Sequence, residues 1–135
     1  MKLYLAAPWA HRGDMASISQ QLEQAGHTIT WKWWETPDLK ENSIWDQELA
    51  AQAQNDKAGV EEADFIVLIN SAKSEGKAVE QGLAIAHKKP IIAVGKRGTE
   101  SKNVFHYLPN YRWVDTVQEA VQVLDIVEWL VLCAS

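Results

Sequence analysis

"DFIVLINSAKSEGKAVEQGLAIAHKKPIIAVG", residues 64–95, is the stretch on which the fold turns. Its opening, "DFIVLIN", is an unbroken apolar run between polar ends, the pattern of a strand buried on both faces. "SAKSEGK" is a polar loop, and Ser74 is placed to cap a helix over about 75–87. "PIIAVG", 90–95, is a second buried strand. Strand, helix and strand in so short a span make a crossover unit, so the two strands run parallel.

The same alternation extends in both directions. "KLYLAA", 2–7, reads as a first short buried strand. "MASISQQLEQAG" spaces Met15, Ile18, Leu22 and Ala25 helically, with Gly26 as the stop. "HTITWKWW" alternates Ile29, Trp31 and Trp33 on one face and predicts a second strand. After the loop "ETPDLKENS", Ser43 with Asp46 forms a capping pair for a helix over 44–62. Downstream of 95, "VFHYL" predicts a short helical turn and "YRWVD", 111–115, a fifth strand. Thr116 with Glu119 is a capping box for the last helix, "VQEAVQVLDIVEWLVL". The expectation is an α/β, flavodoxin/Rossmann-like doubly wound sheet of five parallel strands in the order 2-1-3-4-5, as a single domain over 1–135.

Composition narrows the partners. The chain has 135 residues, 47% of them apolar, enough for a core in one domain. A formal net charge of −5 argues against a nucleic-acid polymer as partner. Cys133 is the single cysteine, so no internal disulfide is possible, and a cytoplasmic location is expected. No run approaches the length of a membrane span. The four histidines show no metal-ligand spacing, no Ser-His-Asp arrangement stands out, and the Walker pattern is absent.

In the expected strand order the ligand crevice lies at the carboxyl ends of strands 1 and 3. The first loop brings Pro8, Trp9, His11, Arg12 and Gly13 there. The third brings Asn70, Ser71, Ser74, Gly76 and Lys77, then Glu80 one turn into the helix; the fourth strand brings Gly95, Lys96 and Arg97. Basic groups beside a helix N-terminus suit a phosphate, and a carboxylate suits another part of the ligand. Each residue alone also has a plain structural reading. Glu80 would complement a helix dipole, Arg12 and Lys77 would be solvated charges, Ser74 a cap, and Trp9 a core residue.

Taken in order, three elements carry a resemblance over roughly residues 2–110: "LYLAAPW", "NDKAGVEEADFIVLI" and "SEGKAVEQGLAIAHKKPIIAV". The chain resembles the nucleoside 2-deoxyribosyltransferase family and the related nucleoside 5′-monophosphate N-glycosidases. The resemblance implies that Glu80 is the catalytic nucleophile, attacking the anomeric carbon of the sugar. It implies that Asp56 assists the leaving base or positions the substrate, that Tyr4 orients Glu80, and that Trp9 offers a face to the base. It also implies a homodimer or higher oligomer with shared sites and no metal or organic cofactor.

Ser74 stands six residues before Glu80, where the transferases resemble one another in having Asp and the monophosphate N-hydrolases tend to have Ser. A hydroxyl on a helix N-terminus suits phosphate, whereas a carboxylate repels it. With Arg12 and Lys77 nearby, the expectation is an N-glycosidase of nucleoside 5′-monophosphates that transfers to water. Two features depart from that pattern: Lys77 follows Gly76 where the family loop often reads Gly-Thr, and Asn103 matches a residue typical of transferases. A base-exchanging deoxyribosyltransferase and a non-catalytic nucleotide-binding domain are therefore the alternatives.

Overall fold

The computed structural model describes residues 1–134. Five parallel strands, β1 (Lys2–Ala6), β2 (Thr28–Ile29), β3 (Phe65–Ile69), β4 (Ile91–Val94) and β5 (Tyr111–Val114), form one sheet in the order β2-β1-β3-β4-β5. That is the expected order. Four helices connect and close the sheet: α1 (Met15–Gln24), α2 (Asp46–Glu62), α3 (Glu75–Ala86) and α4 (Val117–Ala134).

Alternation along the strands sorts the core into two layers, because successive side chains leave opposite faces. Leu3, Leu5, Val67, Ile92 and Val114 pack with Leu22 of α1 and with Ala120 and Leu124 of α4. Tyr4, Ala6, Ile66, Leu68, Ile91 and Ala93 pack with Val60 of α2 and Ala84 of α3. β1 lies between β2 and β3, with Leu3 opposite both Ile29 and Phe65. The chain reverses its winding there, so the loops after β1 and β3 diverge and open a crevice.

Two local expectations are corrected. The second strand is only Thr28–Ile29; residues Trp33–Glu35 form a 3-10 turn instead. The reason is tertiary: the Trp33 indole turns inward to donate to the Leu5 carbonyl at 2.7 Å, which a strand continuing along the sheet edge would not allow. The turn ahead of α2 is capped by Asn42, whose side chain accepts from the Ile44 amide, and not by Ser43. In α4, Ile126, Trp129, Leu130 and Leu132 are exposed and add nothing to the core. Thr116 does accept from the Glu119 amide, while Glu119 reaches back to the Asp115 amide, one residue further than a strict capping box. Among the described residues no helix is long and apolar enough to cross a membrane.

The ends of α1 and α3 show one motif built from different residues. After α1, Gly26 (φ 97°) donates to the Glu23 carbonyl and His27 to the Leu22 carbonyl. After α3, Lys88 (φ 57°) donates to the Ile85 carbonyl and Lys89 to the Ala84 carbonyl. Both are Schellman caps, in which the left-handed residue is best a glycine. Lys88→Gly is therefore expected to raise stability, and Gly26→Ala to lower it, each by about 0.5–1 kcal/mol in chemical denaturation.

Candidate active site

The crevice holds a cavity of about 520 Å³, within the range of small-molecule sites. Its walls carry Trp9 and Trp33 on the β1 side, Gln52 and Asp56 from α2, and Ser74, Gly76 and Glu80 from the β3–α3 connection. Gln52 and Asp56 are four apart on α2 and so share one face.

Glu80 and Tyr4 meet across two elements. Tyr4 is fully buried in the middle of β1 and donates its hydroxyl hydrogen to Glu80 Oε2. Burial raises the Glu80 pKa to about 8; the Tyr4 hydrogen bond opposes that rise and the charge of Asp56 adds to it. Burial first, and then the two carboxylates, push the Tyr4 phenol far up, so it remains a donor across the accessible pH range. Asp56 is half-buried; desolvation raises its pKa, while the Trp31 indole N–H, donating to Oδ1 at 3.0 Å, works in the opposite direction. The site thus places two carboxyl groups with raised pKa values on one cavity wall, a pattern that favours acid–base and nucleophilic chemistry.

Gly59, one turn after Asp56, sets how closely α2 approaches this pair. A Cβ there would lie 2.9 Å from Trp31 Cβ and from Tyr4 Cδ2, and 3.0 Å from Tyr4 Cε2. Both neighbours are the partners that hold the two carboxyl groups. Any side chain at Gly59 forces α2 outward or displaces Tyr4.

Ser74 caps α3 by accepting from the Lys77 amide at 3.2 Å. That contact uses an acceptor lone pair and leaves the hydroxyl hydrogen free to donate. The amides of Glu75 and Gly76 have no hydrogen-bond acceptor among the described residues. A Cβ at Gly76 would meet only Ser74 Oγ, at 4.0 Å, so packing does not require glycine there.

Not every residue expected at the crevice reaches the cavity. Arg12 is exposed; its guanidinium covers the Trp9 ring at 4.8 Å from the centroid, donates to the Trp9 carbonyl and pairs with Asp38 at 3.9 Å. Arg97 lies over Tyr107 instead. Asn103 caps the 3-10 turn Val104–Tyr107 and borders a separate shallow depression with Gly98, Lys102 and Tyr107. Lys77 borders the cavity, and its ammonium donates to the Asn70 side chain and the Ala72 carbonyl. Trp9 does present its ring to the cavity, tilted 35° against Trp33 with 5.8 Å between centroids.

The sequence reading missed Trp31 as the partner of Asp56, and Gln52 and Gly59 as parts of the site. The spacing of Gln52, Asp56 and Gly59 along one helix was the available signal. Trp31 had none, because its contact arises only when α2 docks. One cluster lies elsewhere: His27, Asp125 and Glu128 come within 4.8 Å of one another. The Met1 amine lies 3.1 Å from His27 Nδ1 and 3.7 Å from Glu128. An amine donating to Nδ1 leaves the His27 ring neutral with its proton on Nε2, 3.8 Å from Asp125, and the charged pair is the Met1 amine with Glu128.

The nucleoside 2-deoxyribosyltransferase family model matches residues 3–115, and the chain belongs to that family. No curated protein matches the sequence. Among solved structures, the CMP N-glycosidase BcmB of Clostridium botulinum is similar at 20% identity and a TM-score of 0.58, covering 93% of this chain and 99% of its own. A conserved protein from Enterococcus faecalis V583 is similar at 16% identity and a TM-score of 0.61, covering 90% and 95%. At these identities the likeness is one of fold.

Two substitutions test the geometry without a substrate. Tyr4→Phe removes the hydrogen bond that favours the charged carboxylate, so the Glu80 pKa is expected to move above about 8 in a carbon-13 NMR titration. Gly59→Ala is expected to cost about 1–3 kcal/mol in denaturation and to move the same Glu80 titration, since overpacking displaces Tyr4.

Proposed function

We propose that this family member is an N-glycosidase of nucleoside 5′-monophosphates that transfers the sugar to water. The observation that carries the reading is the pairing of Glu80, half-buried and held by Tyr4, with an open α3 N-terminus bearing Ser74 six residues before it. In this reading Glu80 attacks the anomeric carbon. The C–O bond to Oε forms as the bond to the base nitrogen breaks, and Asp56 supplies a hydrogen bond or a proton to the leaving base. Water then attacks the same carbon and gives its proton to Asp56, releasing the sugar phosphate and returning the Glu80 carboxylate, the double displacement of retaining glycosidases. The Ser74 hydroxyl and the free amides of Glu75 and Gly76 receive the 5′-phosphate. Trp9 and Trp33 form the apolar wall for the base.

Attack requires ionised Glu80, so activity rises with pH through about 8. In the resting pocket the carboxyl keeps its proton because burial penalises the charge. A positive charge developing on the sugar in the transition state reverses that balance. Asn103 does not reach the cavity of its own chain. A second copy docking over exposed Val104, Phe105 and Tyr107 would let it serve a neighbouring site, in keeping with the shared sites that the family resemblance implies.

The test is a panel of ribo- and deoxyribonucleosides and their 5′-monophosphates, followed by chromatography for free base. Base released from monophosphates, and lost by at least about a thousandfold in Glu80→Gln, is the expected result. A new nucleoside formed when a second base is added would replace hydrolysis with base exchange. Binding without release from any substrate would leave a non-catalytic nucleotide-binding domain. Gly76→Ala sharpens the phosphate assignment: the fold has room for the methyl, so stability should hold while kcat/KM for monophosphates falls about tenfold or more.

A further inference from the structure

Lys77 is among the largest fully enclosed side chains of the protein, at 2% exposure. Its ammonium donates to Asn70 Oδ1 at 3.1 Å and to the Ala72 carbonyl at 2.6 Å. Both acceptors are neutral. Lys32 and Lys57 have carboxylate partners, whereas Lys77 forms no ion pair among the described residues. Asn70 is itself buried and donates to the Ser101 carbonyl at 3.2 Å. The remaining titratable neighbours offer no counter-charge. Burial and the Lys77 charge keep His106 neutral, and Glu80, one turn along α3, holds its proton up to about 8.

A buried ammonium without an anion is costly, and a fold keeps one only where something compensates it. Here the charge sits beneath the segment 70–77, whose outer side carries Ser74 and the free amides of Glu75 and Gly76. We propose that Lys77 determines specificity for phosphorylated substrates through its field, acting from beneath the loop and not by touching the phosphate. The inference rests on the phosphate reading above. Low dielectric and the absence of intervening salt make a buried charge effective over a distance at which a surface lysine would be screened. Only the ammonium form acts this way. Burial lowers the Lys77 pKa to about 8, so the effect is present below that pH and lost above it.

Ribose 5-phosphate and ribose are suitable probes because they need no knowledge of the base. Their binding is measured by calorimetry on the Glu80→Gln protein, which removes the overlapping Glu80 titration. The preference for ribose 5-phosphate over ribose is expected to weaken as pH rises through about 8. Adding Lys77→Gln, which keeps an amide donor but no charge, is expected to cut that preference about tenfold or more and to abolish its pH dependence. Retention of the preference and of its pH dependence in the Lys77→Gln protein would overturn the inference alone, leaving Lys77 a purely structural tie. Equal binding of ribose 5-phosphate and ribose before Lys77 is changed would overturn the phosphate reading and this inference together. Should the Lys77 variant fail to fold, the pH series on Glu80→Gln decides, because a preference unchanged between about pH 7 and 11, past the ordinary lysine range, excludes an acting ammonium.

Discussion

The hydrogen bond from Tyr4 to Glu80 is the constraint on which the rest of the site depends. A carboxyl group withdrawn from water loses its charge unless something in the protein stabilises it. Tyr4 offers that stabilisation from the most rigid place available, the middle of a strand flanked on both sides by others. The phenol cannot move without disturbing β1, so it fixes Glu80 against the cavity wall. α2 must then lie close enough to bring Asp56 to the same cavity, and Gly59 makes that approach possible. One contact therefore links the sheet, α2 and α3, and explains why a residue with no functional group belongs to the site.

The two layers of the core divide the labour. The layer with α1 and α4 is built from aliphatic side chains of Leu, Val, Ile and Ala. The layer facing α2 and α3 includes Tyr4, Met15 and Trp33, with half-buried Trp9 and Trp31 against it. Aromatic side chains supply apolar bulk together with a polar edge. Three of their polar groups are used at or beside the site: Tyr4 to Glu80, Trp31 to Asp56, and Trp33 to Leu5. The seven tryptophans thus belong in part to a core layer that serves as the floor of a cavity.

Much of this was legible in the sequence. Strand order and helix positions followed from alternating buried runs and helical spacing, since both patterns are imposed locally by backbone geometry. The family resemblance singled out Glu80, Asp56, Tyr4 and Ser74, and the structure brings all four to one cavity or its floor. What failed were judgements on side-chain direction. Arg12 and Lys77 looked alike as basic residues on adjacent loops, yet one covers a tryptophan and the other is enclosed. Nothing local to Lys77 foretells this. It sits four and seven residues before Gln81 and Ala84, on the buried stripe of α3, and that stripe is apolar too briefly to betray the lysine at its head. The alternation of Ile29, Trp31 and Trp33 was real but did not continue the strand, because Trp31 turned to Asp56 of α2 and Trp33 to the Leu5 carbonyl of β1.

The sign of the whole chain and the sign of the site point in opposite directions, and distance decides which prevails. A protein of net charge −5 repels a dianion from afar. That repulsion comes from exposed carboxylates, whose influence fades over about 8–10 Å in physiological salt. The α3 N-terminus contributes unspent amides within contact range, and Lys77 a full charge that water and counter-ions do not reach. On the proposed reading, these close positive groups act on a bound phosphate more strongly than the distant negative ones. On that reading, an acidic surface with a cationic point beneath a capped helix would admit small phosphorylated ligands and exclude long polyanions, which would have to lie against the acidic surface as well as the site.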